Sequence, residues 1–491
     1  MPPTPVNNVP NWLRPFPKEG VVRRAYEFAE AAHRGVARKN GDDYITHSLQ
    51  VACTVHMWGF DDASVAAALL HDVVEDTPRT LQEVKSVFGE DVASLVSRMT
   101  KLSAVKYRPA SPDKGGNSRQ AENMRKFIIA ISEDLRVVFI KLADRLHNMQ
   151  TLGALPHAKQ LRIAAETTDI YAPLAYRLGM HSLSGELEDL AFPYLHPKEY
   201  EWLTGAISLK YEERRAYAER AVPILQKMLQ DAGVTALTID ARAKRYASLY
   251  KKLKKYDMDI SHVYDLVALR VVVPTVADCY AALGAVHAHW PPLPGRFKDY
   301  IALPKPNGYR SLHTTVFCAE NQVIEIQFRT WEMHEEAELG AAAYWAYSQA
   351  KSSKAYLKRH VPRGETRDLT WVRKLREWSE HFRDPEEFLS FVKTDFLKDR
   401  IFVVTPKRDV IDLPQGATPV DFAYHVHTRV GHECSGARVN GKLVPLNHEL
   451  MSGDVIEILT QHGKKPSASW LPFVKTSMAR THIKSALRRR Q

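Results

Sequence analysis

The spacing of hydrophobic residues changes once along this chain, and that change constrains the fold more than any other feature. Through the first two hundred residues, apolar side chains recur at three-to-four spacing, as in AYEFAEAAHRG and SVAAALLHDVVED, which predicts amphipathic helices. From about residue 235, segments such as VYDLVALRVVV and QVIEIQFRT are rich in β-branched residues with a period near two, which predicts strands. We therefore expect a helical domain followed by a domain built on a sheet.

The segment QVIEIQFRT also predicts which face of the sheet carries chemistry. Alternate residues of a strand point to opposite faces, so the polar side chains Glu325, Gln327 and Arg329 should share one face. Further along, a polar, basic stretch predicts a linker, and the short apolar runs after residue 399 predict a small module of strands with one helix. A chain of 491 residues is too long for one hydrophobic core, so several domains are expected.

Charge and cysteine content narrow the classes of function. The 68 basic and 57 acidic residues give a net charge of +11, which favours an anionic partner such as a nucleotide or RNA. The four cysteines lie far apart without a CxxC pair, which argues against a cysteine zinc site and a disulfide framework and favours a reducing cytoplasm. The sequence has neither a signal-peptide pattern nor a membrane-spanning run, so no membrane partner is expected.

Side chains typical of metal ligands occur at intervals in the helical region. They are two imidazoles and two carboxylates: His47, His71, Asp72 and Asp144. A mixed nitrogen and oxygen set suits a divalent transition metal that keeps open positions. On a continuous helix, Glu75 and Asp76 lie one turn beyond His71 and Asp72, where they can orient or deprotonate a water. Scattered, unrelated polar groups are the alternative, but buried charge in the apolar segment ALLHDVVED is costly without partners.

A second candidate site begins with the basic segment RAKRYASLYKKLKKY. On one predicted helix of about four turns, it carries cationic and hydroxyl side chains, namely Arg242, Lys244, Arg245, Ser248, Lys251, Lys252 and Lys254. A solvated helix face or an RNA-binding strip is the alternative. Asp265 and Glu325 on neighbouring predicted strands can hold the magnesium that bridges nucleotide phosphates. The sequence has no GxxxxGK[ST] motif, so it is not a P-loop enzyme.

The loop PKPNGYRSLHTT adds polar groups to this second site: Lys305, Asn307, Tyr309 and His313. A tyrosine beside a glycine can expose its ring for stacking on a base. The alternative is an ordinary loop aromatic that packs against the protein.

Taken together, these segments resemble the Rel/SpoT family of long alarmone synthetase-hydrolases over nearly the whole chain. The resemblance rests on ARKNGDDYITH, LLHDVVEDT, IKLADRLHNMQTL, VYDLVALRVVV, GRFKDYIALPKPNGYRSLHTT and VIEIQFRTWEMHEEAELGAAAYWAY. It implies an all-α HD-type hydrolase domain at 1–196, an α/β nucleotidyltransferase-like synthetase domain at 197–350, and a small β-grasp TGS domain at 398–461. A linker with a short helix at 351–397 and a basic tail at 462–491, the start of a truncated helical region, complete the expected organisation.

For the helical domain, the resemblance implies hydrolysis of the alarmones ppGpp and pppGpp to GDP or GTP plus pyrophosphate. His47, His71, Asp72 and Asp144 would hold Mn²⁺. Glu75 and Asp76 would position or activate the attacking water. Arg38, Asn148 and Thr151 match positions that contact the nucleotide.

For the second domain, the resemblance implies transfer of the β,γ-pyrophosphate of ATP to the 3′-hydroxyl of GDP or GTP. Asp265 and Glu325 match the Mg²⁺-binding acids, and Glu325 is also a candidate to activate the 3′-hydroxyl. The ATP-binding positions are Arg242, Lys244, Ser248, Lys251 and Lys254. The positions around the acceptor nucleotide are Lys298, Lys305, Asn307, Tyr309 and His313, and Tyr309 is expected to stack on guanine.

Two details refine this expectation. The segment Arg296-Phe297-Lys298-Asp299 looks like the basic version found in two-way enzymes, not the acidic version of dedicated synthetases. Arg310 departs from the glutamine expected in many relatives and is expected to add a phosphate contact.

The resemblance of the third domain to TGS domains implies a nucleic-acid partner. By resemblance, the TGS domain senses the 3′ end of uncharged tRNA on the ribosome, through His432; a loop histidine without a ligand is the alternative. No DNA partner is expected. Two rival functions remain open from sequence: an RNA nucleotidyltransferase with an HD phosphohydrolase domain, and a non-catalytic regulator that binds tRNA or the ribosome.

Overall fold

The computed structural model describes residues 10–103, 133–254, 257–259, 263, 266–305, 307–318, 322–343 and 400–488. These residues form two compact units, of which the first contains 10–103 and 133–343 and the second contains 400–488. The segment 106–120 is rich in Pro, Gly and Ser, which predicts a surface loop. This segment, the predicted linker 351–397 and Asp265 lie outside the described residues.

The first unit begins with a helical domain, as the three-to-four spacing predicts. Its α-helices are Val21–Ala32, Ile45–Met57, Asp62–Leu70, Val73–Asp76, Leu81–Ser103, Leu135–Gln150, His157–Glu166, Ala172–Arg177, His181–Leu195 and Pro197–Asp231. A five-residue π-helical segment, Thr167–Tyr171, joins two of them. The helix Leu81–Ser103 is kinked at Gly89, where φ is 86°.

Aspartates at helix starts explain where two of the helices that build the first site begin. Asp61 accepts a hydrogen bond from the Ser64 amide, and Asp134 accepts one from the Arg136 amide, which satisfies donors that a helix start leaves unpaired. Arg136 also pairs with Asp91 at 2.6 Å and Asp61 at 3.5 Å. This ionic cluster ties the starts of the helices Asp62–Leu70 and Leu135–Gln150 together.

The rest of the first unit is an α/β domain built on one mixed sheet. Its strands are β1 (Thr238–Ala243), β2 (Val267–Val273), β3 (Lys298–Asp299), β4 (Leu312–Phe317) and β5 (Val323–Thr330), and its shorter helices are Tyr246–Leu253, Val276–His289 and Trp331–Leu339. The spatial order is β1-β2-β5-β4-β3, with β2 and β5 parallel and the other pairs antiparallel. The helices Pro197–Asp231 and Val276–His289 contribute buried residues to the core that this sheet forms.

The alternation predicted for QVIEIQFRT is confirmed for the residues that line the core and the cleft. Ile324, Ile326 and Phe328 are buried in the core, and Glu325 and Gln327 face a cleft. Arg329, predicted on the same face as Glu325 and Gln327, is only 1% exposed. The helix Trp331–Leu339 begins directly after it, and Glu338 of that helix lies 3.8 Å from the Arg329 guanidinium.

The prediction of one long basic helix over residues 242–254 is wrong. Arg242 lies on β1, opposite Ala268 in the antiparallel ladder with β2, and the helix begins only at Tyr246. The ladder satisfies the backbone groups of β1, and the Lys244 amide makes a further bond to the Leu266 carbonyl. The basic side chains are therefore divided between a strand, a connection and a helix.

The second unit is a small module of short strands and helices. β6 (Arg400–Val404) pairs with β7 (Val410–Pro414), and β8 (Cys434–Val439) lies between β10 (Ile456–Thr460) and β9 (Lys442–Val444). The α-helices are Pro419–Val426, Thr428–His432 and Ser477–Arg488. Ala479 and Ile483 of the last helix pack against Val420 and Tyr424, so part of the predicted basic tail shares a core with the predicted TGS domain.

Two sequence-level expectations concern the whole chain. All four cysteines are free thiols, in agreement with the absence of a CxxC pair. None of the helices in the described part of the chain has both the length and the apolar character needed to cross a lipid bilayer.

Candidate functional site

The four predicted metal ligands of the helical domain converge on one point. His47 comes from the helix Ile45–Met57, Asp144 from the helix Leu135–Gln150, and His71 and Asp72 from the junction between two short helices. The Nε2 atom of His47 lies 3.6 Å from a carboxylate oxygen of Asp72 and 3.3 Å from one of Asp144. The Nε2 atom of His71 lies 3.1 Å and 3.9 Å from the same two oxygens.

The backbone between His71 and Asp72 explains how two adjacent residues reach the same centre. Neighbouring side chains on an ideal helix diverge by about 100°. Here the predicted single helix is interrupted: one helix ends at Leu70, His71 is its last cap, and Asp72 is the first cap of the helix Val73–Asp76. The Asp76 amide still donates to the Asp72 carbonyl at 2.8 Å, so Asp76 lies one turn beyond Asp72 as expected. Glu75 and Asp76 lie exposed on the short second helix.

The protonation pattern of His71 fits a divalent cation. Its Nδ1 atom lies 2.8 Å from the Ala68 carbonyl, which accepts only an N–H, so in the neutral ring that binds a metal it is the Nε2 atom that carries the lone pair. That Nε2 atom is buried and makes no hydrogen bond. His47, His71 and Asp144 offer ligand atoms that all lie within 4.8 Å of one another. A divalent metal bound by these side chains would satisfy the buried lone pair and the carboxylates together.

The electrostatics of this cluster also favour a cation. Burial alone would lower the pKa of His71, but the carboxylates of Asp72 and Asp144 outweigh burial and raise it to about 9. Burial lowers the pKa of His47. Lys141 lies 3.1 Å from the outer oxygen of Asp144 and supplies one buried positive charge beside the two acids.

The three predicted nucleotide contacts of the helical domain form one group beside the cluster. The Arg38 guanidinium donates to the side chains of Asn148 at 2.9 Å and Thr151 at 3.5 Å, and Asn148 donates to Asp144 at 2.6 Å. His147, which we did not predict, lies 3.1 Å from Arg38 and 2.8 Å from His47. The available sequence signal was its position three residues after Asp144, on the same helix face.

Tyr44 is a second residue that the sequence analysis missed. Its hydroxyl lies 2.9 Å from Asp72 and 2.5 Å from Asp76, and its ring stacks on His33 with 4.5 Å between centroids. Burial and the neighbouring carboxylates raise the pKa of this hydroxyl. Tyr44 therefore stays protonated and holds Asp76 next to the metal-ligand cluster.

The α/β domain contains the second site, a cleft of about 320 Å³ in which cationic side chains surround one acid. The cleft is lined by His181, Gly185, Arg242, Ala243, Lys244, Arg245, Ser248, Ala268, Lys298, Tyr300, Lys305, His313, Glu325 and Gln327. Burial, together with the charges of Lys298 and Lys244, lowers the pKa of Lys305 to about 8. Several partly desolvated cations in one cleft favour a ligand with several negative charges.

Glu325 is held from two sides. Gln327 donates to its carboxylate at 2.8 Å, and the Nδ1 atom of His313 lies 3.3 Å away. The Nε2 atom of His313 lies 2.8 Å from the Tyr309 hydroxyl, and burial lowers the pKa of His313. A neutral His313 that donates to Glu325 and accepts from Tyr309 satisfies both contacts.

Some predicted residues lie away from this cleft. Lys251 pairs with Glu188 at 2.7 Å, and Lys254 lies 4.4 Å from the Tyr250 ring. Tyr309 lies behind His313, with the Lys305 ammonium 5.0 Å from its ring. Arg310, expected to contact phosphate, pairs with Glu336 at 3.0 Å. Asp265 lies outside the described residues, so Glu325 is the acid of the predicted pair that can be located.

Arg245 and Gln327, predicted in the basic segment and on the polar face of the strand, lie in the cleft wall, and so do Tyr300 and His181, which no sequence pattern indicated. His181 is 3.3 Å from Asn307, and it belongs to the helical domain. A β-carbon on Gly185 would lie 2.7 Å from the Arg245 side chain, so a larger residue there would displace Arg245. No local sequence pattern encodes a wall that two domains share.

In the second unit, His432 lies at the end of the short helix Thr428–His432. Its ring meets Tyr424 edge-on with 5.7 Å between centroids, and Tyr424 stacks on His482. Its Nε2 atom is buried without a hydrogen-bond partner. The predicted RNA contact therefore has to use the other ring nitrogen or follow a rotation of the side chain.

Fold and sites together define a class of protein. A histidine-aspartate cluster on helices is joined in one unit to an α/β domain whose cationic cleft contains an acid on a central strand. This is a two-site protein with an HD-type domain and a nucleotidyltransferase-like domain.

Comparison with known proteins identifies the family. Residues 25–181 match the HD domain family, residues 241–352 match the region found in RelA / SpoT proteins, and residues 401–460 match the TGS domain. The GTP pyrophosphokinase of Myxococcus xanthus is 44% identical over 97% of this chain and 61% of its own length. The guanosine-3′,5′-bis(diphosphate) 3′-pyrophosphohydrolase of Aquifex aeolicus is 44% identical over 96% of this chain and 65% of its own length.

The GTP pyrophosphokinase of Streptomyces coelicolor is 47% identical over 94% of this chain and 55% of its own length. This chain thus spans 55%, 61% or 65% of the length of these three relatives. It belongs to the Rel/SpoT family, and the predicted fold class, with HD, synthetase and TGS domains, is confirmed.

Proposed function

We propose that this chain both hydrolyses and synthesises the alarmones ppGpp and pppGpp, with one site for each reaction. The observation that carries the proposal is the presence of two chemically different sites in one unit. One is built from His47, His71, Asp72 and Asp144, and the other is a cationic cleft around Glu325. Relatives named for each of the two activities are equally similar to this chain.

In the proposed hydrolase site, the cluster holds a divalent metal, because its ligand set mixes imidazole and carboxylate. We assign this metal as Mn²⁺ from the resemblance to the Rel/SpoT family. When bound, this ion supplies charge neutralisation and a lowered pKa for the attacking water. Asp76, held by Tyr44, and Glu75 are exposed where they can take the proton of that water. The oxygen of the water joins the leaving pyrophosphate, and the 3′-oxygen of the nucleotide regains a proton.

The group formed by Arg38, Asn148 and Thr151 is proposed to bind the nucleotide. Arg38 is the one cation in this group, and it contacts both Asn148 and Thr151. Asn148 also contacts Asp144, so nucleotide binding and metal binding share a hydrogen-bond network. This arrangement would place the scissile phosphate group beside the metal.

In the proposed synthetase site, the cleft binds ATP and the acceptor GDP or GTP. Arg242, Lys244, Ser248, Lys298 and Lys305 all line the cleft, which supports their assignment to phosphate groups of the two nucleotides. Glu325, with Asp265, is assigned to Mg²⁺. Glu325 also takes the proton of the 3′-hydroxyl as that oxygen bonds to the β-phosphorus of ATP, and AMP leaves.

Contacts in the structure give less support to three of the roles predicted from the sequence, and these roles remain proposals. Lys251 and Lys254 would have to leave Glu188 and Tyr250 to reach ATP. Tyr309 would stack on guanine only after Lys305 moves off its ring. We retain uncharged tRNA on the ribosome as the partner of the TGS domain, with His432 as the contact to the 3′ end.

The test uses the purified chain and two separate assays. With Mn²⁺ and ppGpp we expect release of pyrophosphate and GDP, and with Mg²⁺, ATP and GDP we expect ppGpp and AMP. Incubation with tRNA and labelled nucleotide serves as the control for an RNA nucleotidyltransferase, and no incorporation is expected. Absence of both reactions in folded, metal-loaded protein, or labelling of the RNA, would refute the proposal.

A further inference from the structure

We infer that His147 is a positioning residue of the hydrolase site: it accepts a hydrogen bond from the Nδ1 atom of His47 and so fixes the tautomer that leaves the Nε2 atom of His47 free for the metal. The inference rests on the proposed metal site. It concerns a residue that neither the motif of the metal ligands nor the nucleotide contacts include.

Two side chains, those of His47 and Arg38, lie close to one ring nitrogen of a third, His147. The Nδ1 atom of His147 lies 2.8 Å from Nδ1 of His47 and 3.1 Å from a terminal nitrogen of Arg38. The two imidazole rings are tilted, with 4.9 Å between their centroids. His47 is 2% exposed, so water has little access to its ring.

Arg38 decides which nitrogen carries the proton. A guanidinium has five donors and no acceptor, so the atom that faces it at 3.1 Å must be an acceptor. The Nδ1 atom of His147 therefore carries a lone pair, and the proton of this ring is on Nε2. A lone pair on His147 requires that the short contact from His47 is an N–H donor. The proton of the His47 ring is consequently on Nδ1.

A proton on Nδ1 determines the state of the other ring nitrogen of His47, Nε2. Its Nε2 atom faces Asp144 at 3.3 Å and Asp72 at 3.6 Å. If the proton were on Nε2, it would bond to Asp144 and occupy the direction that a metal needs. The acceptor on His147 stabilises the other tautomer, just as the Ala68 carbonyl does for His71. Both imidazoles then present Nε2 lone pairs to the same centre.

Hydrogen-bond partners of this kind typically contribute 10- to 100-fold to metal affinity. The experiment measures binding of Mn²⁺ alone, by electron paramagnetic resonance of the free ion, to the full chain and three variants. His147→Phe keeps a ring of similar size but removes the acceptor. His147→Asn restores an acceptor close to the position of Nδ1. His157→Phe changes an exposed histidine of the same domain and is the matched control.

We expect His147→Phe to weaken Mn²⁺ binding about 10- to 100-fold, while His147→Asn stays within a few-fold of the unmodified chain and His157→Phe is unchanged. Thermal unfolding in EDTA, compared with the unmodified chain, shows whether each variant is folded. Equal weakening by Phe and Asn, or no weakening by Phe, would overturn the inference even though the unmodified chain binds Mn²⁺. Failure of the unmodified chain to bind Mn²⁺ would overturn both the inference and the proposed hydrolase site.

Discussion

Lys141 offers a test of the metal site that does not depend on measuring catalysis. Its side chain is 7% exposed, and its ammonium lies 3.1 Å from Asp144. Lys141→Met keeps most of the apolar stem but removes the positive charge beside two buried carboxylates. Loss of one partner of a buried ion pair typically costs about 3–5 kcal/mol, because the remaining charge is left uncompensated.

A bound divalent cation should replace much of the positive charge that Lys141 supplies to the two carboxylates. A metal present at about 100 times its dissociation constant stabilises the folded state of either chain by about 2.7 kcal/mol, and this common gain leaves their difference unchanged. The variant should gain more, because its carboxylates lack another counter-charge and should bind the metal more tightly. We therefore expect Lys141→Met to unfold at a clearly lower temperature than the unmodified chain in EDTA. If Mn²⁺ binds the variant about 30-fold more tightly, which corresponds to about 2 kcal/mol, the difference should shrink by about half in Mn²⁺.

The assay is thermal unfolding of the full chain with EDTA, with Mn²⁺, and with Mg²⁺ as a second cation. Lys159→Met, at an exposed position of the same domain, is the control and should behave like the unmodified chain in all three conditions. If Mn²⁺ raised the unfolding temperature of neither chain, the acids of this cluster would not hold a cation. If it raised both temperatures equally, the metal would not replace the charge of Lys141. No destabilisation in EDTA would refute the electrostatic reasoning itself.

Three further predictions concern other parts of the chain. Gly340→Ala should destabilise the first unit, because φ is 57° and a β-carbon would lie 2.2 Å from the Leu178 carbonyl oxygen. Thermal unfolding should show a lower unfolding temperature for this variant. The control Gly284→Ala, with no atom within 4 Å of the added carbon, should be neutral or slightly stabilising. Nucleotide binding to the cleft should weaken as pH rises through about 8, because Lys305 loses its charge there. Calorimetry should detect proton uptake on binding above that pH. A constant affinity from pH 7 to 9 would contradict the role of Lys305. Asp421→Asn should cost about 1–3 kcal/mol in the second unit, because this fully buried carboxylate accepts hydrogen bonds from the Thr418 hydroxyl and from the backbone amides of Lys475 and Thr476. Faster hydrogen exchange in the helices 419–426 and 477–488 is the expected readout, and unchanged exchange would contradict it.

The elements that could be predicted from sequence are those whose signal is local. Apolar residues at three-to-four spacing predicted the helical domain, and the alternation in QVIEIQFRT predicted β5 and the face that carries Glu325. The metal ligands could be proposed because charged residues in the apolar segment ALLHDVVED require partners. Their imidazole–carboxylate distances of up to 3.9 Å depend on how two helices and a junction pack, which the sequence suggests only through family resemblance.

The errors arise where tertiary contacts override a local pattern. Residues 242–245 carry the basic pattern of a helix, but pairing with β2 draws Arg242 into a strand. Arg329 follows the strand alternation, yet it is buried because the helix Trp331–Leu339 begins beside it. In the sequence, His147 is one polar residue on a helix face. Only the packing of the helix Ile45–Met57 alongside brings His47 within 2.8 Å of it. In each case, a residue distant in sequence determines the environment.

Crossed inactivation of the two sites is the most direct test of the claim that one chain performs opposite reactions at separate centres. The variants are His71→Ala in the helical domain and Glu325→Gln in the cleft, each measured for hydrolysis and synthesis in single-turnover reactions. We predict that His71→Ala loses hydrolysis by at least about 100-fold and keeps synthesis, and that Glu325→Gln shows the reverse, because each change removes a group that only one reaction uses. Loss of both reactions in either folded variant would contradict the two-site account.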